Sequence, residues 1–241
     1  MKGMHGIIFS YEKRTDLREL IADRIHGSIP FAGDYRVIDF VLSAMVNAGI
    51  TDVGVIMHGK CQSMLDHLGS GKSWDLSRNH GGLTLLPAFA YNEKRGAGGQ
   101  YRHIDSGADM TAVCTTVPGD VSDTYFTVND TGRITDTVYD VFAPMGCRCL
   151  NMFVLSKELL LQMVTECASR NQFSFRRNIL REMGKRYHFH AYVYDGYAAH
   201  INSVQSYYQR SMELLDPALR QALFCPERPV YGKENDSPSS Y

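Results

Sequence analysis

Lys13, Arg14, Arg18 and Arg24 crowd into the stretch that follows a short apolar run, Gly6-Ile7-Ile8-Phe9. Fixed cations behind a strand can hold phosphate or dock an acidic surface. The plainer reading of such a run is the solvated face of a helix. Three other constellations carry a possible chemistry. Gly69-Ser70-Gly71-Lys72-Ser73 invites comparison with a phosphate-binding loop. That pattern needs a glycine where Asp66 stands and should follow a strand, so a surface loop is the better reading. Cys147-Arg148-Cys149 offers two thiols one residue apart, too close and too isolated for a metal knuckle, which favours structural thiols. His188-Phe189-His190 sets two imidazoles on one face of a strand. No acid or thiol recurs nearby at ligand spacing, so a solvated strand face is expected. Trp74, the only tryptophan, is expected to anchor packing.

The elements that must position these residues alternate in type. His5 to Ser10 has the length and apolarity of a strand. Asp39 opens a helical pattern with Val41, Leu42, Met45 and Val46 on one face, and Ala48-Gly49 stops it. Ile50 to Met57 reads as a buried strand, Ser63 to Leu68 as a short helix, and Leu83 to Leu86 as a strand within the Gly-, Ser- and Asn-rich stretch 69–99. Met110 to Val117 and Asn151 to Leu155 read as strands, and Asn129-Asp130-Thr131-Gly132 as a turn between two more. Ser156 caps a helix reaching about Ala168, with Glu158 in its first turn. Tyr187 to Tyr194 alternates as a strand, and Val204 to Leu215 is helical. Strand, helix, strand at this spacing implies an α/β fold with parallel pairing.

The composition sets bounds. In 241 residues, 44% are hydrophobic and 21% charged, as in soluble globular proteins. A net charge of −1 argues against a general hold on nucleic acid or an anionic membrane. Six scattered cysteines without framework spacing suggest reduced thiols and a cytoplasmic setting. No run approaches the roughly 20 apolar residues of a membrane span.

The run Ile29-Pro30-Phe31-Ala32-Gly33-Asp34-Tyr35-Arg36-Val37-Ile38-Asp39-Phe40, continuing to Asn47-Ala48-Gly49-Ile50, resembles bacterial glucose-1-phosphate adenylyltransferases almost position for position. The chain is identified as a member of that family, of its non-catalytic D-type. The resemblance covers essentially the whole chain and implies a Rossmann-like nucleotide-diphospho-sugar transferase fold, with a mostly parallel mixed sheet that is incomplete here. It makes Pro30, Phe31, Gly33, Arg36 and Asp39 scaffold residues, with Arg36 and Asp39 an ion pair or cap for the following helix. Where the family has a glycine-rich loop, this chain reads Tyr11-Glu12-Lys13-Arg14. Asp16 falls on the arginine that clamps the triphosphate, and His26 on the lysine that holds the sugar phosphate. His200, within Gly196-Tyr197-Ala198-Ala199-His200-Ile201-Asn202-Ser203, replaces the aspartate that holds magnesium. Phe173 to Leu180 resembles a sugar-binding block without its acids. Phosphoryl-type transfer needs cations against developing negative charge and backbone N–H groups close to phosphate. An aspartate repels the substrate, a neutral imidazole gives little, and magnesium prefers hard oxygen.

The resemblance thus implies a degenerate nucleotide and sugar-phosphate pocket at Lys13, Arg14, Asp16, Arg24, His26 and His200, with no catalytic residue, no metal and no cofactor of its own. Magnesium would serve the catalytic partner. The implied role is a regulatory or structural subunit in glycogen biosynthesis. It would form a hetero-oligomer with a catalytic subunit that makes ADP-glucose and diphosphate from ATP and glucose 1-phosphate. Two alternatives stand beside it: an active sugar-phosphate nucleotidyltransferase using replacement residues, and a non-functional remnant. The remnant reading rests on two departures taken as peculiar to this chain. After Gln100-Tyr101-Arg102 a helix–strand–helix unit is missing, and Arg228-Pro229-Val230-Tyr231 leads toward a left-handed β-helix domain that does not follow. The expected division is an α/β domain over 1–225 and a linker over 226–241 with little to pack.

Overall fold

His5–Ser10 and Asp52–Met57 are short, mostly apolar runs of strand length in which every second residue is buried, and the computed structural model places both in one sheet. It describes residues 4–10, 15–77, 81–87, 107–117, 119, 123–139, 146–170 and 175–233. Among these the chain forms two compact units, one of the residues up to Pro87 together with Ala199 onward, the other from Gly107 to Ala198.

The first unit contains strands β1 (His5–Ser10), β2 (Asp52–Met57) and β3 (Gly82–Pro87), paired in parallel in the order β1-β2-β3. Helices α1 (Val37–Asn47) and α2 (Gln62–Leu68) contribute to its core. Ile8, Val53, Val55 and Met57 from the strands meet Ile38, Leu42, Met64, Leu68 and Trp74 there. Trp74 is the anchor expected of it, 1% exposed. Gly69 and Gly71 take positive φ between α2 and a short 3-10 turn at Lys72–Trp74. The glycine-lysine run is therefore a turn behind a helix, and Lys72 is exposed.

The second unit is a five-stranded mixed sheet in the order β6-β5-β7-β4-β8. Its strands are β4 (Met110–Thr115), β5 (Thr124–Val128), β6 (Ile134–Tyr139), β7 (Cys147–Leu155) and β8 (Phe189–Val193). β4 and β8 are parallel; the β4–β7, β5–β6 and β5–β7 pairs are antiparallel. Helix α3 (Lys157–Ser169) is capped by Ser156, whose hydroxyl accepts from the Leu159 amide. A π-helical turn at Phe175–Glu182 supplies Ile179 and Leu180 to the same core as Met110, Phe126 and Phe189.

Several boundaries differ from the sequence reading. α1 begins at Val37, with Asp39 in its first turn rather than opening it. β7 starts at Cys147, so both thiols of the Cys147-Arg148-Cys149 run lie within a strand. Val113 pairs with Met152 but Cys114 with Cys149, leaving two β7 residues bulged out. Asn151, at φ 56°, turns the bulge, a conformation that asparagine tolerates better than most residues.

In the first unit, helices α4 (Val204–Glu213) and α5 (Pro217–Leu223) follow the second sheet in sequence. Beyond them the chain does not idle as expected. Tyr231 packs against the core of the first unit. The part of the expected linker after Lys233, the junction at Arg102–His103, and Phe173-Ser174 lie outside the described residues.

Candidate functional site

Leu17, Ile29, Phe31 and Ile201 share one apolar cluster in the first unit. This brings together three segments far apart in sequence: the turn beginning at Asp16, the Pro30–Asp39 block, and the stretch containing His200. Lys13 and Arg14 lie outside the described residues. Asp16 is exposed in a 3-10 segment, Thr15–Ile21, that bends at Arg18 through a positive φ of 44°. Arg24 is half-buried. It lies near enough to Arg36 to help lower that guanidinium's pKa, burial being the larger cause and Asp39 and Asp66 acting in the opposite sense.

His26 opens a second 3-10 turn, His26–Ser28. Its Nε2 lies 2.6 Å from the carbonyl oxygen of Ile201. A carbonyl only accepts, so this nitrogen carries the proton and donates it. The imidazole thus ties the 26–28 turn to the residue directly after His200. A ring engaged in this way braces the backbone through its Nε2–H.

The ground behind the turn is filled. A Cβ added at Gly27 would fall 2.6 Å from both Ser10 Oγ and Met64 Cε. Ser10 and Ser28 are buried, and among the described residues their hydroxyls find no hydrogen-bond partner. Among the described residues the atoms nearest the Gly27 Cβ position belong to Ser10, Ile38 and Met64, an apolar and hydroxyl lining.

After His200 the chain becomes a helix cap. Ser203 Oγ accepts from the Ser206 amide at 3.0 Å, and Ser206 Oγ accepts from the amides of Asn202 and Ser203 at 3.0 and 2.9 Å. This reciprocal capping box starts α4. α4 in turn braces the family block, Tyr207 donating its hydroxyl to the Pro30 carbonyl at 3.0 Å. Among the described residues no three His, Cys, Asp or Glu side chains gather as metal ligands. The nitrogen of His200 does not suit magnesium.

The scaffold residues hold one another. Pro30 and Arg36 form a bridge, and the Phe31 amide donates to the Tyr35 carbonyl at 2.8 Å. Ala32 and Gly33 turn through φ 58° and 85° between them. The Arg36 amide donates to Asp39 Oδ2 at 2.8 Å, which makes Asp39 a cap. The Arg36 guanidinium reaches instead to Ser63, donating to its carbonyl at 2.7 Å and its hydroxyl at 2.8 Å. Asp39 Oδ1 meets His67 Nε2 at 2.7 Å, and these side chains are 0% and 4% exposed. His67 stands edge-on to Trp74, ring centroids 5.7 Å apart. His67 was not singled out from sequence. Its offset of four from Ser63 on a helical run was the available signal.

In the second unit, Arg148 is buried beside Asp123, Nη1 to Oδ2 at 3.6 Å, and donates to the Ala198 carbonyl. Cys114 and Cys149 are buried cross-strand partners. Burial, then Cys149 and Cys147, push the Cys114 thiol far above its ordinary pKa. A buried thiol held protonated is inert. His188 and His190 stand 6.5 Å apart, ring to ring, on the β8 side.

Comparison with known proteins completes the description. No family model matches the chain. It is 32% identical to the glycogen biosynthesis protein GlgD of Bacillus subtilis (strain 168) over 244 residues, covering 98% of this chain and 70% of that protein. To GlgD of Geobacillus stearothermophilus it is 34% identical over 246 residues, with the same coverage. The glucose-1-phosphate adenylyltransferase of Halalkalibacterium halodurans is 27% identical over 289 residues, covering 100% of this chain and 74% of the enzyme. The 241 residues here are thus stretched over many more positions by the enzyme than by either GlgD. Aligned with the enzyme, the chain takes gaps that its alignments with the two GlgD proteins do not need. The internal shortfall is therefore not the peculiarity of this chain that the sequence reading took it for.

Proposed function

Because the chain belongs to the family of the glycogen biosynthesis protein GlgD, we propose that it serves glycogen biosynthesis as a catalytically degenerate subunit beside an active glucose-1-phosphate adenylyltransferase. The observation that carries this reading is the His26–Ile201 hydrogen bond at 2.6 Å. At the position where an active relative would set a lysine against the sugar phosphate, a side chain has become a strut for the backbone. Asp16 adds a repelling charge to the same cluster of segments, and the stretch after His200 is spent on capping α4. Substrate charge would meet no compensating cation from these positions, and the transition state still less. What remains intact is the Pro30–Asp39 scaffold, which suits a protein selected for its surface.

The chain needs no metal or cofactor in this role; magnesium belongs to the partner's reaction. The partner is a catalytic adenylyltransferase subunit in a hetero-oligomer, in the cytoplasm. No helix among the described residues is long and apolar enough to cross a membrane. The test is the purified chain with ATP, glucose 1-phosphate and Mg²⁺. No ADP-glucose should form, and His26→Ala should leave that result unchanged while lowering thermal stability. Turnover by the chain alone, lost in His26→Ala, would show that the imidazole is catalytic and overturn the proposal.

A further inference from the structure

Asp39, Ser43 and Asn47 form a row at four-residue spacing along α1, and two of the three are almost wholly buried: Asp39 at 0% and Ser43 at 1% exposed. Polar groups so placed on a helix need partners. Asp39 is held by the Arg36 amide and His67, and Ser43 and Asn47 find theirs in Pro229–Lys233. Asn47 Nδ2 donates to the Pro229 carbonyl at 3.0 Å. The Tyr231 amide donates to Ser43 Oγ at 2.8 Å, and that hydroxyl lies 3.3 Å from the Tyr231 carbonyl. At Gly232 the backbone comes so close that an added Cβ would lie 2.9 Å from the Tyr35 ring and 3.6 Å from Asp39 Oδ2. Lys233 Nζ then crosses to α2 and donates to the Asp66 carbonyl at 2.9 Å. The five residues run the length of α1, from its last residue to its first turn, and end on the helix that carries His67.

We propose that Pro229–Lys233 is a clasp whose docking and the closure of the Arg36–Asp39–Ser63–His67 network are one coupled event. The strap ends beside the carboxylate on which that network converges. Release of the strap exposes Asp39 to water and loosens the cap of α1 and the hold on His67. Loss of the cap removes the surface against which Gly232 seats. By reciprocity of coupling, load on the chain at Lys233 is felt at the Pro30–Asp39 block, and disturbance of the block is felt at Lys233.

Amide hydrogen exchange on the full chain tests this. Gly232→Val pushes the strap off the Tyr35 ring while all four residues of the network are kept. It should speed exchange about fivefold or more at Tyr231 and equally at Arg36 and in residues 62–68. Ser63→Ala, which touches no strap residue, should speed exchange at Tyr231. Should Gly232→Val fail to fold, Ser43→Ala serves in its place. Alanine favours the helix, so faster exchange at Arg36 in that variant can arise only through the strap. The proposal is overturned if strap variants leave Arg36 and 62–68 within about twofold of wild type, or Ser63→Ala leaves Tyr231 unchanged.

Discussion

Replacing Asp39 by alanine should cost the first unit about 2–4 kcal/mol. The figure is built from two contacts. One carboxylate oxygen accepts the Arg36 amide at 2.8 Å, and loss of such a cap costs about 1 kcal/mol. The other holds His67 Nε2 at 2.7 Å in a site where both side chains are almost fully excluded from water. A buried donor left without its partner adds roughly 1–3 kcal/mol. The second contribution is little screened, because the Asp39 and His67 side chains are 0% and 4% exposed. Asp39→Asn keeps an acceptor for the amide and should lose about half as much. The assay is urea unfolding followed by Trp74 fluorescence. Trp74 is the sole tryptophan and stands against His67, so it reports on the unit that contains the substitution. The midpoint should fall with an unchanged slope. A loss below about 0.5 kcal/mol, the range of inconsequential surface changes, would refute the claim that Asp39 holds the block together.

Three further outcomes follow from the same structure. Gly33→Ala puts a Cβ at φ 85° with nothing within 4 Å of it; the penalty is purely conformational, about 1–2 kcal/mol, read as a lower Tm. Arg148→Met leaves the 4%-exposed Asp123 without its guanidinium and should cost about 3 kcal/mol or more by denaturant unfolding followed by far-UV circular dichroism. For Cys114, burial raises the folded pKa above the ordinary 9.0, so the folded chain keeps a proton that the unfolded chain releases. Its contribution is complete below pH 9 and declines above it by up to about 1.4 kcal/mol per pH unit. Wild type should therefore lose more stability between pH 8 and 10 than Cys114→Ala does, and equal losses would contradict this.

Much of the local structure was legible because it rests on short-range physics. β1 matched residue for residue, Ser156 capped α3, and the Asn129–Gly132 turn joined two strands, each from a pattern a few residues long. The beginning of α1 was misplaced since Asp39 acts from within the first turn, reaching back to the Arg36 amide. β7 was read too short because its bulge at Asn151 interrupts the alternation on which strand reading depends. α5 was not anticipated, although Asp216-Pro217 is a good cap and first position. Long-range partners left no such trace. His67, the Arg36 contact with Ser63 and the strap at Tyr231 join residues that nothing in local periodicity relates. At the candidate site, the types at Asp16, His26 and His200 carried the expectation of lost chemistry. The new use of His26, as donor to the Ile201 carbonyl, is visible only where the two segments meet.

The most direct measurement is the rate of ADP-glucose synthesis by a purified catalytic adenylyltransferase as this chain is titrated in, with complex formation followed in parallel by analytical ultracentrifugation. The account predicts no synthesis by the chain alone, a mixed complex, and a rate that changes and saturates at a fixed subunit ratio. Synthesis by the chain alone, or a catalytic subunit that neither binds it nor changes its rate, would contradict the account.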